Sequence, residues 1–334
     1  MDNKGPYNAM ITSVGHYVPD RVIDNRYFEQ YLDTSDEWIR TRTGISERRR
    51  LDKSKPTSFM AIKAIEKLLQ NRGIGVEEID LIIVASVTPD MIYPSTACVI
   101  QKEMGAVNAW GFDLLAACSG FIFSLTTAMQ FIQAGSHKKV IVVGADKMSA
   151  ITNFEDRNTC ILFGDAAGAV LLEPTEDKSI GIVDAIMKIN GEGGKYLHQL
   201  GGGSLNPATH ETVDKRMHFV YQEGKNVFKD AVKGMADVSY EIMKKNNLTG
   251  EQISYLVPHQ ANMRIISACA ERMGLSEDKV MINIHRYGNT TSATIPTCIS
   301  EYWHAGKVKK DDYLVLSSFG AGYTWGSILV KWAY

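Results

Sequence analysis

An internal repeat of one α/β unit restricts this chain more than any other pattern in it. Cys118 is followed by Phe131-Ile-Gln-Ala-Gly135 and then by the apolar run Val140-Ile-Val-Val-Gly144. Asn289 is followed by Tyr302-Trp-His-Ala-Gly306 and then by Tyr313-Leu-Val-Leu-Ser317. Gly306 comes after Gly135 by the same number of positions that separates Asn289 from Cys118. Upstream, Glu78-Ile-Asp-Leu-Ile-Ile-Val84 is echoed by Gln252-Ile-Ser-Tyr-Leu-Val-Pro258. Downstream, Ala167-Gly-Ala-Val-Leu-Leu-Glu173 is echoed by Trp325-Gly-Ser-Ile-Leu-Val-Lys331. Buried strands all resemble one another in Val, Ile and Leu, but helix starts and ends matched at one offset need duplication. Two such copies, over 1–180 and 181–334, pack most simply about a pseudo-twofold axis. Cys118 and Asn289, at equivalent helix N-termini, then face each other across the centre.

The elements between these landmarks fit a helix-covered sheet. Asp80–Ser86, Lys139–Asp146 and Ala166–Glu173 are short apolar runs of strand length, as are Ala9–Val14, Ser254–Val257, Tyr313–Ser318 and Ser327–Trp332. Helices are expected over Asp33–Ile45, Ser58–Arg72, Gly224–Lys245 and Ala261–Met273, and after Asn289. Phe121–Ile132 is apolar on nearly every face, the mark of a helix buried all round, and Gly135 supplies its C-terminal stop. Asn190–Asp214, rich in Gly and without periodicity, reads as a long functional loop. Arg48-Arg49-Arg50 with Lys53 and Lys55 reads as a solvated basic face that could meet phosphates.

Net charge is −2, so no global field draws the chain to nucleic acid or to anionic membrane. No apolar run is long enough to span a bilayer, and the opening Met-Asp-Asn-Lys-Gly-Pro-Tyr-Asn lacks a signal-peptide core. The five cysteines form no CxxC pair, which argues for reduced thiols in the cytoplasm and against zinc or a disulfide framework.

Cys118 by itself reads as a buried, inert thiol. Its place at the start of the Phe121 helix changes that, because unpaired N–H groups and the positive dipole end favour a thiolate there. Val257-Pro258-His259-Gln260 puts a histidine just past a strand, where ligands of α/β folds gather. Arg286-Tyr287-Gly288-Asn289 is a turn followed by small residues that let a helix approach closely. Gly320-Ala-Gly322 is a glycine-rich turn between strands; it misses GxGxxG and follows the wrong element order for a dinucleotide, but its N–H groups suit an oxyanion hole.

Together Asp33–Ile45, Ala116-Ala-Cys-Ser-Gly120, Phe163-Gly-Asp-Ala-Ala-Gly168, Val257–Arg264, Gly288–Ala293 and Gly320–Gly326 resemble the β-ketoacyl-acyl-carrier-protein synthase III family nearly end to end. The resemblance implies a thiolase-like, five-layered αβαβα fold in a homodimer. It implies a metal-free, cofactor-free acyltransferase that condenses a short acyl-CoA with malonyl-acyl-carrier-protein to start fatty acid biosynthesis. The family's catalytic residues fall on Cys118, His259 and Asn289. Its oxyanion hole falls on the N–H groups of Cys118 and Ala321. CoA binding falls on Trp38, Arg42 and Arg157. Acyl-carrier-protein contact falls on Gln260, Ala261, Asn262, Met263 and Arg264, with Lys229 beside them, and Tyr93 falls where an aromatic enters the partner protomer's acyl pocket.

Some positions depart from the pattern. Ala321 replaces a frequent glycine, Glu271-Arg272 stands where some relatives have two lysines, and Lys225 replaces an asparagine. His285 reads as structural. A papain-like hydrolase shares the order Cys, His about 140 residues on, then Asn, but Ala117-Cys118-Ser119-Gly120-Phe121 lacks that family's surroundings and hydrolases show no such repeat. A thiolase proper needs a second cysteine in the glycine-rich turn, and chalcone-synthase-like enzymes take malonyl from CoA. A binding module would have lost one of the trio. A condensing enzyme of a specialised pathway, with a longer, branched or CoA-linked substrate, keeps the same residues.

Overall fold

The computed structural model describes residues 5–334; the first four residues of the first predicted half, and of the chain's opening, lie outside it. Five strands form the first sheet: β1 (Asn8–Tyr17), β2 (Leu81–Ala85), β3 (Trp110–Leu114), β4 (Val140–Lys147) and β5 (Asp165–Thr175), in the order β1-β5-β4-β2-β3. Four form the second: β6 (Gly181–Ile189), β7 (Tyr255–Pro258), β8 (Tyr313–Gly320) and β9 (Thr324–Lys331), in the order β7-β8-β9-β6.

The two sheets share their pairing senses. β1 and β6 each run antiparallel to the next strand, β5 and β9, and these run antiparallel to β4 and β8. β2 and β7 then join parallel. Only β3 has no full counterpart. In its place the second sheet carries a single parallel bridge, Leu256 to Val280.

Alternation along each strand sorts side chains between helix layers. Leu81, Ile83, Val140 and Val142 join the central core, whereas Ile82, Val84, Ile141 and Val143 join an outer one. The outer core packs under α2 (Thr57–Arg72) and α3 (Thr96–Met104). The central layer consists of α4 (Gly120–Gln133) and α7 (Thr294–His304), whose Phe121, Leu125, Ile295 and Ile299 lie in one cluster with both sheets. On the far side, α5 (Gly224–Lys245) and α6 (Met263–Met273) cover the second sheet. The layers run αβαβα, each sheet having both faces buried, as the continuous apolar strands require. No helix of the described residues is long and apolar enough to cross a membrane.

The helix expected over Asp33–Ile45 is shorter: α1 (Asp36–Thr43) starts after Ser35, whose hydroxyl accepts from Trp38 N, and stops at Gly44 in the left-handed region. Asn190–Asp214 is not all loop. It holds the 3-10 turn Gly191–Lys195, a two-residue strand Leu197–His198 paired with Tyr221–Gln222, and the short helix His210–Asp214. Arg48 departs furthest from expectation. It is 1% exposed, sits in the small strand Glu47–Arg49, and donates to the carbonyls of Ile23 and Ile161 and to Asn25 Oδ1. It is a structural cation over the Phe28 ring rather than part of a solvated face.

Candidate active site

Cys118 lies in the 3-10 turn Ala117–Ser119, which runs directly into α4. Ala117 before it has a φ of 48°, a conformation that costs an L residue about 1–2 kcal/mol. The second half holds it there. Thr324 Oγ1 donates to the Ala116 carbonyl at 2.9 Å, Ser318 Oγ donates to the Cys118 carbonyl at 2.8 Å, and Ser119 Oγ donates back to the Thr324 carbonyl at 2.9 Å. Gly320 closes this contact: a Cβ there would stand 2.7 Å from Cys118 N, so only glycine lets the two backbones approach. Ala321, next along, is half-buried and does accommodate its methyl group.

Asn289 is fixed by backbone bonds to the first half. Its N–H donates to the Leu162 carbonyl at 2.8 Å, and its own carbonyl accepts from Gly164 N at 3.0 Å. Its side-chain Oδ1 accepts the Thr291 N–H at 2.9 Å. With the oxygen committed to a backbone donor, the amide NH2 is the group left to donate to a ligand.

His259 follows the C-terminal end of β7 and is held by its N–H to the Ser317 carbonyl at 2.7 Å. The ring is 1% exposed. Its Nδ1 lies 2.7 Å from Thr294 Oγ1, while Nε2 has no partner. Burial pushes the imidazole down to about 3, so the ring is neutral at physiological pH. An orphaned buried polar atom costs about 1–3 kcal/mol, a cost expected where a substrate completes the bond. The Cys118 turn packs on the turn Thr291–Ala293, which follows Asn289 directly in the chain, and Thr294, the partner of His259, begins α7 just after that turn.

The thiolate expected at the helix terminus is not the resting state. Burial, and then the nearby Asp146 carboxylate, push the Cys118 thiol up to about 12. Desolvation of a thiolate outweighs the N–H groups of one short turn. Asp146 is itself buried and raised to about 6 by desolvation, against the pull of its donors. It accepts from Val87 N at 2.8 Å and Ser292 N at 3.0 Å, joining the two halves beside the nucleophile.

Elsewhere, the guanidinium carbons of Arg42 and Arg157 lie over the Trp38 ring, 5.4 Å and 4.4 Å from its centroid. Arg264 is exposed and covers Phe228 at 4.7 Å, next to the exposed Lys229. Asn262 Nδ2 donates to the Arg42 carbonyl at 3.0 Å, tying this surface to α1. Tyr93 is 84% exposed. Gln260 must be removed from the docking surface. It is wholly buried, with its amide donating to the Pro258 and Met281 carbonyls and accepting from Asn283 N and Ile284 N, so it braces the His259 turn. Among the described residues no group of three His, Cys, Asp or Glu side chains could hold a metal ion.

A family model described as 3-Oxoacyl-[acyl-carrier-protein (ACP)] synthase III matches residues 112–191, and its C-terminal companion matches residues 243–332. The β-ketoacyl-[acyl-carrier-protein] synthase III of Chlorobium luteolum is 57% identical over 327 residues, covering 97% of this chain and 99% of that one. This chain belongs to the β-ketoacyl-acyl-carrier-protein synthase III family. The synthase III of Koribacter versatilis is 51% identical, covering 98% of both chains. The solved synthase III of Aquifex aeolicus superposes with a TM-score of 0.89 at 40% identity, over 97% of this chain and all of that one. A priming β-ketosynthase from the R1128 polyketide pathway superposes at 0.90 with 30% identity, over 98% of this chain and 97% of that one.

As a synthase III the chain is an acyl-transferring condensing enzyme with the thiolase-type fold. Several residues that shape this synthase's pocket were not singled out in the sequence. Asp146 closes an apolar strand, and a lone acid in that position signals a buried role. Ser318, Thr324 and Thr294 carry no such signal, because one hydroxyl among many acquires meaning only from its partner.

Proposed function

We propose that this synthase III takes a short acyl group from acyl-CoA onto Cys118 and condenses it with malonyl-acyl-carrier-protein. The product is 3-oxoacyl-acyl-carrier-protein, and the step initiates fatty acid biosynthesis. The carrying observation is a buried pair of polar side chains: a neutral His259 with a free Nε2, and an Asn289 whose amide NH2 is left to bond. In loading, the Cys118 sulfur attacks the acyl carbonyl, CoA leaves, and the thiol proton ends on the CoA sulfur. The oxyanion is held by the N–H groups of Cys118 and Ala321. Malonyl-acyl-carrier-protein then loses carbon dioxide, the enolate oxygen is stabilised at His259 and Asn289, and its carbon attacks the acyl-Cys118 thioester, displacing the Cys118 sulfur, which takes a proton from solvent to return to the thiol. Each step draws only on the chain's own residues, the two substrates and a solvent proton.

Trp38, Arg42 and Arg157 are assigned to the CoA nucleotide, because an aromatic face flanked by guanidinium groups suits an adenine and its phosphates. Arg264 and Lys229, with Ala261, Asn262 and Met263, are assigned to the acidic carrier protein. A homodimer is supported by the free edge of β3 and by exposed apolar side chains near it, Ile92 and Tyr93 before α3 and Leu115 after β3. Five free cysteines, three of them buried, fit a reducing cytoplasm.

Intact-protein mass spectrometry tests this reading. Acetyl-CoA should add one acetyl group to the wild type and none to Cys118→Ala, and malonyl-acyl-carrier-protein should discharge it with release of carbon dioxide. No loading by any acyl-CoA would defeat the assignment. Loading only by longer or branched chains would move the enzyme to a specialised pathway.

A further inference from the structure

Arg48 is a buried cation whose hydrogen bonds go to neutral oxygens. Asn25 Oδ1 accepts from both Nη1 and Nη2 at 2.9 Å, the Ile23 carbonyl from Nη1 at 3.0 Å, and the Ile161 carbonyl from Nη2 at 2.6 Å. Burial lowers the guanidinium to about 10, so it stays charged at neutral pH. An apolar side chain of similar volume is often no less stable than a buried charge. What a guanidinium adds is a planar fork that holds several acceptors at fixed angles. Here the acceptors lead to two parts of the site. Asn25 gives its own Nδ2 to Asp36 Oδ1 and to the Ile45 carbonyl, both at 2.8 Å. One lies in the first turn of α1 and the other just past its end, and α1 carries Trp38 and Arg42. On the other side, Ile161 precedes Leu162, whose carbonyl takes the Asn289 N–H, and Gly164 N bonds the Asn289 carbonyl. The Arg48 stem packs on the same junction, since a Cβ at Gly164 or Gly288 would stand 3.2 or 3.3 Å from Arg48 Cβ.

We propose that Arg48 is a positioning residue that holds α1 and the Asn289 backbone in one register, so that a single side chain places the acyl-CoA nucleotide and the amide used in condensation. This deepens the function proposed above and rests on Trp38 and Asn289 having the roles given there. Arg48 is 1% exposed and meets neither substrate. It acts on α1 through Asn25 and on Asn289 through the segment from Ile161 to Gly164. The nucleophile is held differently, because Ser318 and Thr324 of the glycine-rich hairpin fix the Cys118 turn. Loss of the fork therefore disturbs the two ends it joins and leaves Cys118 in place.

Arg48→Met keeps most of the volume and removes every donor, and the two half-reactions read the loss. The KM for acetyl-CoA should rise about tenfold, and carbon dioxide release from malonyl-acyl-carrier-protein on preloaded acetyl-enzyme should slow about 10²-fold, as a small misplacement does. Iodoacetamide should label Cys118 at the wild-type rate. Wild-type values in both half-reactions overturn the proposal, and so does faster Cys118 labelling, the mark of a generally loosened fold. Asn25→Asp separates the two ends and decides the matter if Arg48→Met does not fold. It keeps the acceptor for Arg48 but sets an oxygen against Asp36 and the Ile45 carbonyl, so only α1 is released. A raised acetyl-CoA KM with unchanged carbon dioxide release is expected, and any other pattern refutes the role of Arg48. Failure of the underlying assignments is separately visible: Trp38→Ala would then keep the wild-type KM for acetyl-CoA, or Asn289→Ala the wild-type rate of carbon dioxide release.

Discussion

Ser292 and Asp146 join the two halves of the fold beside the nucleophile. Ser292, three residues beyond Asn289, gives both its N–H and its hydroxyl to Asp146 Oδ2, while Val87 N and the Ser86 hydroxyl bond Oδ1. One carboxylate oxygen thus serves each half. Two adjacent donors converging on a single atom demand an acceptor there, which explains an acid in a buried position.

Asp146→Asn keeps the shape and removes that arrangement. Its Oδ1 can still face Val87, but its NH2 then opposes the Ser292 N–H, donor against donor. The expected loss is about 2–3 kcal/mol, read as a lower urea midpoint at unchanged slope. The variant also lacks the negative charge that helps raise the Cys118 thiol, so alkylation of the folded enzyme should quicken at pH 8. Unchanged stability would refute the bridging role of Asp146.

Cys118 alkylation has a pH signature of its own. Only the thiolate reacts, and burial with Asp146 holds the thiol at about 12. Below that value the thiolate fraction grows tenfold with each pH unit. Iodoacetamide labelling, followed by mass spectrometry, should therefore climb log-linearly from pH 7 to pH 9 without a plateau. A plateau near pH 7 would mean that the helix terminus wins over desolvation after all.

That contest shows where the sequence is readable and where it is not. The duplication was legible because it repeats apolar periods, and periods survive folding: the second sheet reproduces four strands of the first in order and sense. The packing of the Cys118 turn on the turn just past Asn289 accords with the repeat. β3 was missed because Trp110-Gly-Phe-Asp-Leu is short and carries Asp113, whose carboxylate caps α3 by accepting from Thr96 N and Ala97 N. β6 was missed because Asp184 interrupts its apolar run, and Lys245 pairs with that acid from α5. The burial of Arg48 and Gln260 was equally hidden. Each is polar by composition, and partners distant in sequence satisfy each.

Gly320→Ala tests the approach of the glycine-rich hairpin to the nucleophile. The added methyl carbon would meet Cys118 N at 2.7 Å and Ser119 N at 3.0 Å, both backbone atoms that cannot swing aside. The hairpin must retreat, and with it the N–H of Ala321 assigned to the oxyanion. Acyl transfer should fall by about 10²–10³-fold, the usual cost of losing one oxyanion donor. CoA affinity at Trp38, on a different surface, should hold. Normal transfer rates in this variant would show that the N–H of Ala321 is not used.

Arg264 separates the carrier-protein step from the CoA step. Its guanidinium rests on Phe228 beside Lys229, both cations are exposed, and neither makes an ion pair among those found in the described residues. Arg272, by contrast, is engaged by Asp237 and lies over Tyr240, so Glu271-Arg272 contributes less free positive charge. Arg264→Glu should raise the KM for malonyl-acyl-carrier-protein by about tenfold or more, with an effect that shrinks as salt increases. Loading of Cys118 from acetyl-CoA should be unchanged, because the reversed charge touches no part of the pocket. Trp38→Ala should do the converse, weakening acetyl-CoA and sparing the carrier protein. If Arg264→Glu instead slows loading and leaves the carrier KM alone, the docking surface lies elsewhere on the protein.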